Sequence, residues 1–114
     1  MSTRMELGRA AEDAAANYLL SLGYTLVTRR WKRPGGELDL VAMDGETLVF
    51  VEVKATSAPG FPPEDAVSDS KFRHLETVAS RFVSEHGLEE TPQRFDLIAL
   101  DGEGLRHYED FLRF

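Results

Sequence analysis

Gly35-Gly-Glu-Leu-Asp-Leu-Val-Ala-Met-Asp-Gly-Glu-Thr-Leu-Val-Phe-Val-Glu-Val-Lys54 is the stretch that decides the fold. Two apolar runs flank Asp44-Gly45-Glu46, and Asp-Gly between alternating segments is a strong hairpin signal. The spacing predicts one strand over residues 37–43 and a second over 47–54. Side chains alternate between faces along a strand. On the second strand Val49, Val51 and Val53 share one face, and Phe50, Glu52 and Lys54 the other. On the first, Leu38, Leu40 and Ala42 share a face, opposite Glu37, Asp39 and Val41. Glu37, Asp39, Glu52 and Lys54 therefore stand where a merely structural strand would carry Thr or Val.

Loop length decides whether Asp39 joins Glu52 and Lys54. A two- or four-residue loop around Asp44-Gly45 puts Asp39 on the face of Glu52, and a three-residue loop puts it on the other. Cross-strand neighbours have Cβ atoms about 5 Å apart, and diagonal ones about 7–8 Å. Either spacing lets two carboxylates grip one hard cation, and Mg²⁺ takes oxygen ligands while keeping several waters. Such an ion would polarise a phosphoryl oxygen and acidify a water, with Lys54 orienting that water or offsetting charge at phosphorus. The plain alternative is a solvent-facing Glu-Lys pair on an edge strand. Glu-x-Lys alone is a common pattern; Gly-Glu-x-Asp-Leu, a short Asp-Gly connection and Val-Phe-Val-Glu-Val-Lys together are far more specific.

Outward from the hairpin, residues 8–22 read as a helix with Leu7, Ala11, Ala14, Tyr18 and Leu22 as its apolar stripe, stopped by Gly23. Glu12 lies at the margin of that stripe, near Ala15 and Leu19, with Arg9 one turn earlier on the same side. On the helix alone this is a surface Arg-Glu pair. Residues 24–31 read as a first strand, and Pro34-Gly35-Gly36 as a turn into the hairpin. The run Arg29-Arg30-Trp31-Lys32-Arg33 is either a set of phosphate contacts or a solvated strand end. Residues 55–63, with an exposed Phe61, form a loop beside the strand of Glu52 and Lys54, placed to close over substrate. Ser68 or Asp69 caps a second helix running to about His86, whose stripe is Val67, Phe72, Leu75, Val78, Ala79 and Phe82. Lys71 falls inside this stripe, near a helix N-terminus that disfavours a cation, and so calls for an anion nearby. Residues 94–100 read as a further strand, and 105–114 as a short edge strand followed by a helical turn. The order is α-β-β-β-α-β with an optional last strand: one α/β domain with a mixed sheet and helices packed on it.

Composition bounds the rest. A chain of 114 residues with 42% apolar content suits a single domain with a real core. No apolar run is long enough to span a membrane, and the first residues lack a secretory core, so a cytoplasmic location is expected. Cysteine is absent, and the histidines, His74, His86 and His107, are dispersed, which speaks against disulfides, thiolate sites and a histidine-rich zinc site. The net charge of −7 opposes a polyanionic partner, but its distribution is uneven. Residues 1–60 hold seven basic and eight acidic side chains, and residues 85–114 hold three and eight. The half carrying the hairpin is nearly neutral, so nucleic-acid affinity would be weak and strongly salt-dependent.

With these pieces in place, the chain resembles the YraN family of bacterial proteins, predicted endonucleases. The matching pieces are Gly8-Arg9-x-x-Glu12, residues 19–23, Trp31, residues 36–40 and residues 49–54, with Lys71 and Arg94-Phe95-Asp96 fitting the later pattern. That family resembles archaeal Holliday junction resolvases within the PD-(D/E)xK superfamily, and so implies a restriction-endonuclease-like core. The superfamily pattern makes Asp39 and Glu52 metal ligands and Lys54 the catalytic lysine; the resolvase pattern adds Glu12 to the catalytic and metal set. Arg9, Arg30, Lys32, Arg33 and Lys71 are then the candidate nucleic-acid contacts. The chain departs from the family after Lys54, where Ala55-Thr56 replaces the usual Thr-Arg and leaves one arginine contact to phosphate without a residue to make it.

The resemblance implies an endonuclease dependent on Mg²⁺ or Mn²⁺ and acting on DNA, branched or structured DNA included. Resolvase-like relatives work as dimers, so a homodimer is also an expectation. Two readings compete with this one. The acidic charge and the missing arginine suit a non-catalytic nucleic-acid-binding module. The acidic C-terminal third suits a protein-interaction domain.

Overall fold

The computed structural model describes residues 3–57, 60, 62–66 and 68–111. Helix α1 spans Arg4–Ser21, β1 Thr25–Arg33, β2 Gly36–Asp44, β3 Thr47–Ala55, α2 Asp69–His86, β4 Gln93–Asp101 and β5 Gly104–Tyr108. A 3-10 turn, Pro63–Ala66, precedes α2 and takes in the last residue of the stretch expected as loop. Phe61, the stripe position Val67 and the end of the C-terminal turn at 112–114 lie outside the described residues.

The strands form one sheet in chain order, β1-β2-β3-β4-β5. β3 and β4 run parallel and every other neighbouring pair antiparallel. A parallel pair needs a crossover, and α2 supplies it. Ala15, Ala16 and Leu19 of α1 pack on one face of the sheet against Leu40, Ala42, Val49, Val51 and Ile98. Leu75, Val78, Ala79 and Phe82 of α2 cover the other face against Leu38, Val41, Leu48 and Phe50. The expected order is therefore realised as a single α/β domain with a mixed five-stranded sheet, and β5 is the optional last strand. No helix among the described residues is long and apolar enough to cross a membrane.

Three local readings need correction. Helix α1 begins at Arg4, not residue 8, because the Thr3 hydroxyl accepts the Glu6 amide at 3.1 Å, as in a Thr-x-x-Glu cap. Its buried face is Ala11, Ala15, Ala16 and Leu19, while Leu22 is 49% exposed. Leu22 caps the helix just before Gly23, whose φ of +90 turns the chain away, so it cannot continue the stripe. Alanines on several sides of α1 leave the apolar period unable to say which side is buried, and the true side places Glu12 one turn before Ala15 and Ala16.

The third correction concerns the hairpin itself. Leu38 and Leu40 do not share a face: Leu40 packs under α1 and Leu38 under α2. The β1–β2 ladder pairs Arg29 with Leu40 and Trp31 with Leu38 but passes over Arg30 and Asp39, and Arg30 has φ 50. The β2–β3 ladder ends at Leu40 and Val51. β2 therefore leaves the regular pleat at Asp39, and the alternation resets there. A separate register shift between Leu26 and Thr28 turns Val27 out to solvent.

A buried polar knot fastens β5 to the core. Asp96 on β4 is fully buried and accepts hydrogen bonds from Arg94 Nε at 2.8 Å, His107 Nε2 at 2.7 Å and the Asp110 amide at 2.9 Å. His107 Nδ1 meets the Tyr18 hydroxyl of α1 at 3.1 Å, and Arg94 donates to the Tyr24 hydroxyl at 2.7 Å. Burial alone would raise the Asp96 pKa, but the hydrogen bonds from His107 and Arg94 outweigh it and hold the carboxyl below its ordinary value. Asp96→Ala leaves Arg94 and His107 without their shared partner and is expected to cost about 3–5 kcal/mol of stability. Urea unfolding followed by Trp31 fluorescence measures it; a loss under about 1 kcal/mol would reduce the knot to the worth of a surface pair.

Candidate active site

The hairpin loop has two residues: Asp44 pairs with Thr47, and Gly45, at φ 59, turns between them. This even count fixes the parity. Leu40 faces Val51 in the last pair of the ladder, and Asp39, just beyond it, lies beside Glu52 in the wall of the same cleft. The Asp39 and Glu52 carboxyls are hydrogen-bonded to each other, and Asp39 Oδ2 also accepts the Val53 amide at 2.9 Å. Glu52 is only 4% exposed. Its Oε1 holds two ammonium groups, Lys54 Nζ at 3.0 Å and Lys71 Nζ at 3.2 Å. The anion that the position of Lys71 called for is thus Glu52.

The electrostatics follow from burying like charges together. Burial, and then the charge of Glu52, push the Asp39 carboxyl up to about 8. Burial pulls the Lys54 ammonium below its ordinary value although Glu52 opposes this. Burial also acts downward on Lys71, but its ion pair with Glu52 opposes this, and its pKa is raised. At neutral pH the resting site thus keeps a proton on Asp39 and a firm positive charge on Lys71.

Glu12 leans toward the same place. It lines a cleft of about 250 Å³ under α1 together with Asp39, Glu52, Lys54 and Lys71. Its ion-pair partner is Arg30 of β1, at 2.7 Å, and not Arg9, which is exposed. The other candidate nucleic-acid contacts are also engaged within the chain. Lys32 lies 3.8 Å from Glu37, and Arg33 binds Glu85 at 2.9 Å while stacking over Trp31. The basic run thus reads chiefly as a paired strand end. Of the five candidate contacts, Arg9 alone makes no salt bridge among the described residues.

A second cleft, of about 470 Å³, opens on Asp39 and Glu52 from the α2 side. Its walls include Gly35 and Gly36 of the β1–β2 turn and Ser70 and His74 of α2, none of which the sequence reading assigned to a site. Their signal was the spacing 70–71–74, which carries Ser70 and His74 along with Lys71. No three acidic or histidine side chains among the described residues gather closely enough to cage an ion. The site offers instead two adjacent hard carboxylates reached by two clefts, a donor set that fits a Mg²⁺ ion retaining several waters.

Comparison with known proteins adds a family to this geometry. The family model described as "Uncharacterised protein family UPF0102" matches residues 11–100. The chain belongs to the UPF0102 family. This is the YraN family whose motifs the sequence carries. The chain is 42% identical to a UPF0102 protein of Renibacterium salmoninarum over 101 residues, 88% of this chain and 86% of that protein. It is 37% identical to one from Dehalococcoides mccartyi over 99 residues, covering 86% and 82% of the two chains. A Geobacter sulfurreducens member is 42% identical over 95 residues, 82% of this chain and 74% of its own length.

The raised Asp39 pKa makes stability depend on pH. Between its ordinary value and about 8 the native state holds a proton that the unfolded chain has released, so its stabilising contribution falls as pH rises across that window. Asp39→Asn keeps an acceptor for the Val53 amide and removes the titration. The variant's stability relative to wild type is expected to grow with pH up to about 8 and then level off. Urea midpoints from about pH 5 to about pH 9 measure this; a constant difference would show that Asp39 is already ionised at the acid end.

Proposed function

We propose that the protein is a nuclease that hydrolyses phosphodiester bonds in nucleic acid, DNA foremost, with Mg²⁺ or Mn²⁺ as cofactor. The observation that carries this is the buried pair Asp39 and Glu52, with Lys54 on the same carboxylate oxygen, at the meeting of two clefts. Burying two carboxylates side by side is costly unless a cation resolves them. Asp39 and Glu52 would hold that cation, with Glu12 facing it from α1. When bound, the ion supplies Lewis-acid activation of the phosphate and a hydrolytic water at neutral pH. Lys54, a half-buried amine with a lowered pKa, is placed to orient that water and pass a proton. Lys71 offsets charge building up on phosphate oxygens. Branched or structured DNA as the substrate, and action as a homodimer, are what the resolvase resemblance adds.

A second reading has one observation in its favour. Lys54 and Lys71 already neutralise Glu52 without any metal, as suits a non-catalytic nucleic-acid-binding module. Thermal melts of wild type, Lys54→Ala and Glu52→Ala with and without Mg²⁺ or Mn²⁺, run beside a plasmid-nicking assay, separate the two. Mg²⁺ should raise the melting temperature of wild type and Lys54→Ala, by the equivalent of about 2.7 kcal/mol at a hundred times Kd, but not that of Glu52→Ala. Nicking should survive only in wild type. A wild type indifferent to either ion at millimolar concentration would remove the nuclease reading.

A further inference from the structure

On the outer side of α2, Ser70, His74, Thr77 and Arg81 follow helical spacing and stand in one row, all exposed. At 1.5 Å per residue the row is about 16 Å long, enough for several successive phosphates of one strand. It begins at the cleft that opens on Asp39 and Glu52, where Ser70 and His74 form part of the wall. Farther along it runs beside the β1–β2 turn: a Cβ built on Gly35 would lie 3.9 Å from the Thr77 methyl, and one on Gly36 only 3.2 Å from Val78. The glycines therefore let the turn close on α2 while leaving bare backbone on the cleft side. Thr77 gives its hydroxyl to the Arg73 carbonyl of its own helix, so Ser70, His74 and Arg81 are the polar groups that face outward.

In a chain of net charge −7 most cations are already engaged. Arg29, Arg30, Lys32, Arg33, Lys54, Lys71, Arg94 and Arg106 all make salt bridges within the chain. Arg9, Arg73 and Arg81 make none among the described residues, and of these Arg81 is the one in the row; Glu85, one turn on, feels its charge but is bound by Arg33. Glu76 faces a different depression, toward Gln93 and Phe95 of β4, so it lies off the row. The carboxylates that border this lane, Glu37 in the cleft wall and Glu85 beyond Arg81, are paired with Lys32 and Arg33, so an approaching polyanion meets them already neutralised on its way to Asp39 and Glu52.

We propose that this row, Ser70, His74 and Arg81 with the bare Gly35-Gly36 turn opposite, is the binding track for the nucleic-acid strand whose phosphate enters the carboxylate site. The inference rests on the nucleic-acid reading above and names the surface that would carry the substrate. Its contacts are to the sugar-phosphate backbone, so they position the strand without reading its sequence.

Anisotropy of fluorescein-labelled single-stranded, duplex and four-way-junction DNA, titrated in EDTA over a range of salt, tests this without cleavage. Arg81→Ala should lower the slope of log K against log salt by about 0.9 on duplex, or about 0.7 on single strands, and weaken binding by roughly five- to tenfold near 0.1 M salt. Arg81→Lys should keep the slope, and Ser70→Ala/His74→Ala should weaken binding at an unchanged melting temperature. Arg29→Ala, which removes an equal charge on the far side of β1, is the control and should leave the slope unaltered. If Arg81→Ala and Arg29→Ala behave alike, the track is overturned. If wild type nicks DNA while the row variants bind normally, the track falls and the nuclease reading stands. If binding depends on Arg81 but no metal response exists, the track stands and the nuclease reading falls. A wild type that binds none of these DNAs overturns the track whatever the metal does.

Discussion

Everything at the functional end of this molecule depends on one buried carboxylate. Glu52 sits on the middle strand of the sheet, 4% exposed, where an unpaired charge would be severely destabilising. Two ammonium groups and a protonated neighbour make it tolerable, and each reaches it through a different part of the fold. Lys54 comes from the same strand by the two-residue period, and Asp39 from the next strand by the two-residue hairpin loop. Lys71 comes from the first turn of the crossover helix. A one-residue slip in the hairpin, or a change in where α2 begins, would strand the charge. The parity of the turn and the start of α2 are therefore constrained by electrostatics as well as by packing.

The same economy governs the surface. With 20 acidic and 13 basic residues, most cations are consumed in intramolecular pairs, and the basic run at the end of β1 is among them: Arg30 on Glu12, Lys32 on Glu37, Arg33 on Glu85. A pair of this kind is worth little in stability at an exposed position, but it removes the cation from the inventory facing a polyanion. In the acidic C-terminal third Asp96 is spent in the buried knot and Asp101 on Arg106, while Glu89, Glu90, Glu103 and Glu109 stay exposed and make no salt bridge among the described residues. Net charge by segment is a poor guide to a protein's field when the charges find each other in three dimensions.

That distinction also explains what was legible in the sequence. The hairpin follows from Asp-Gly and a period of two, both local properties; whether Asp39 meets Glu52 turned on the loop length, which the sequence left open between two, three and four residues. Lys71 could be read because a cation in an apolar stripe is a local misfit that demands a distant anion. The face change at Leu38 was hidden, because it goes with a break in the ladder beside Arg30, which has a positive φ, and nothing in Arg-Arg-Trp announces that. The buried face of α1 was hidden too, since alanines have little hydrophobic contrast to report. The pairing of Glu12 with Arg30 and the Asp96–His107–Tyr18 knot join residues far apart in the chain, and single-element reasoning has no access to them.

The resting site is self-compensated, and that has a thermodynamic consequence for the proposed chemistry. A cation entering between Asp39 and Glu52 must expel the Asp39 proton and compete with Lys54 and Lys71 for Glu52 Oε1. On the proposed chemistry its affinity would therefore be lowered and would rise with pH toward about 8, because uptake would be linked to proton release. A phosphate lying in the cleft changes the balance by offering the two displaced ammonium groups an anion of their own. Under that proposal metal and nucleic acid would each relieve what the other disturbs, and by linkage each would tighten the other by the same factor. Lys71 lines both clefts and pairs with Glu52, so under the proposed chemistry it is the group through which such a coupling would run.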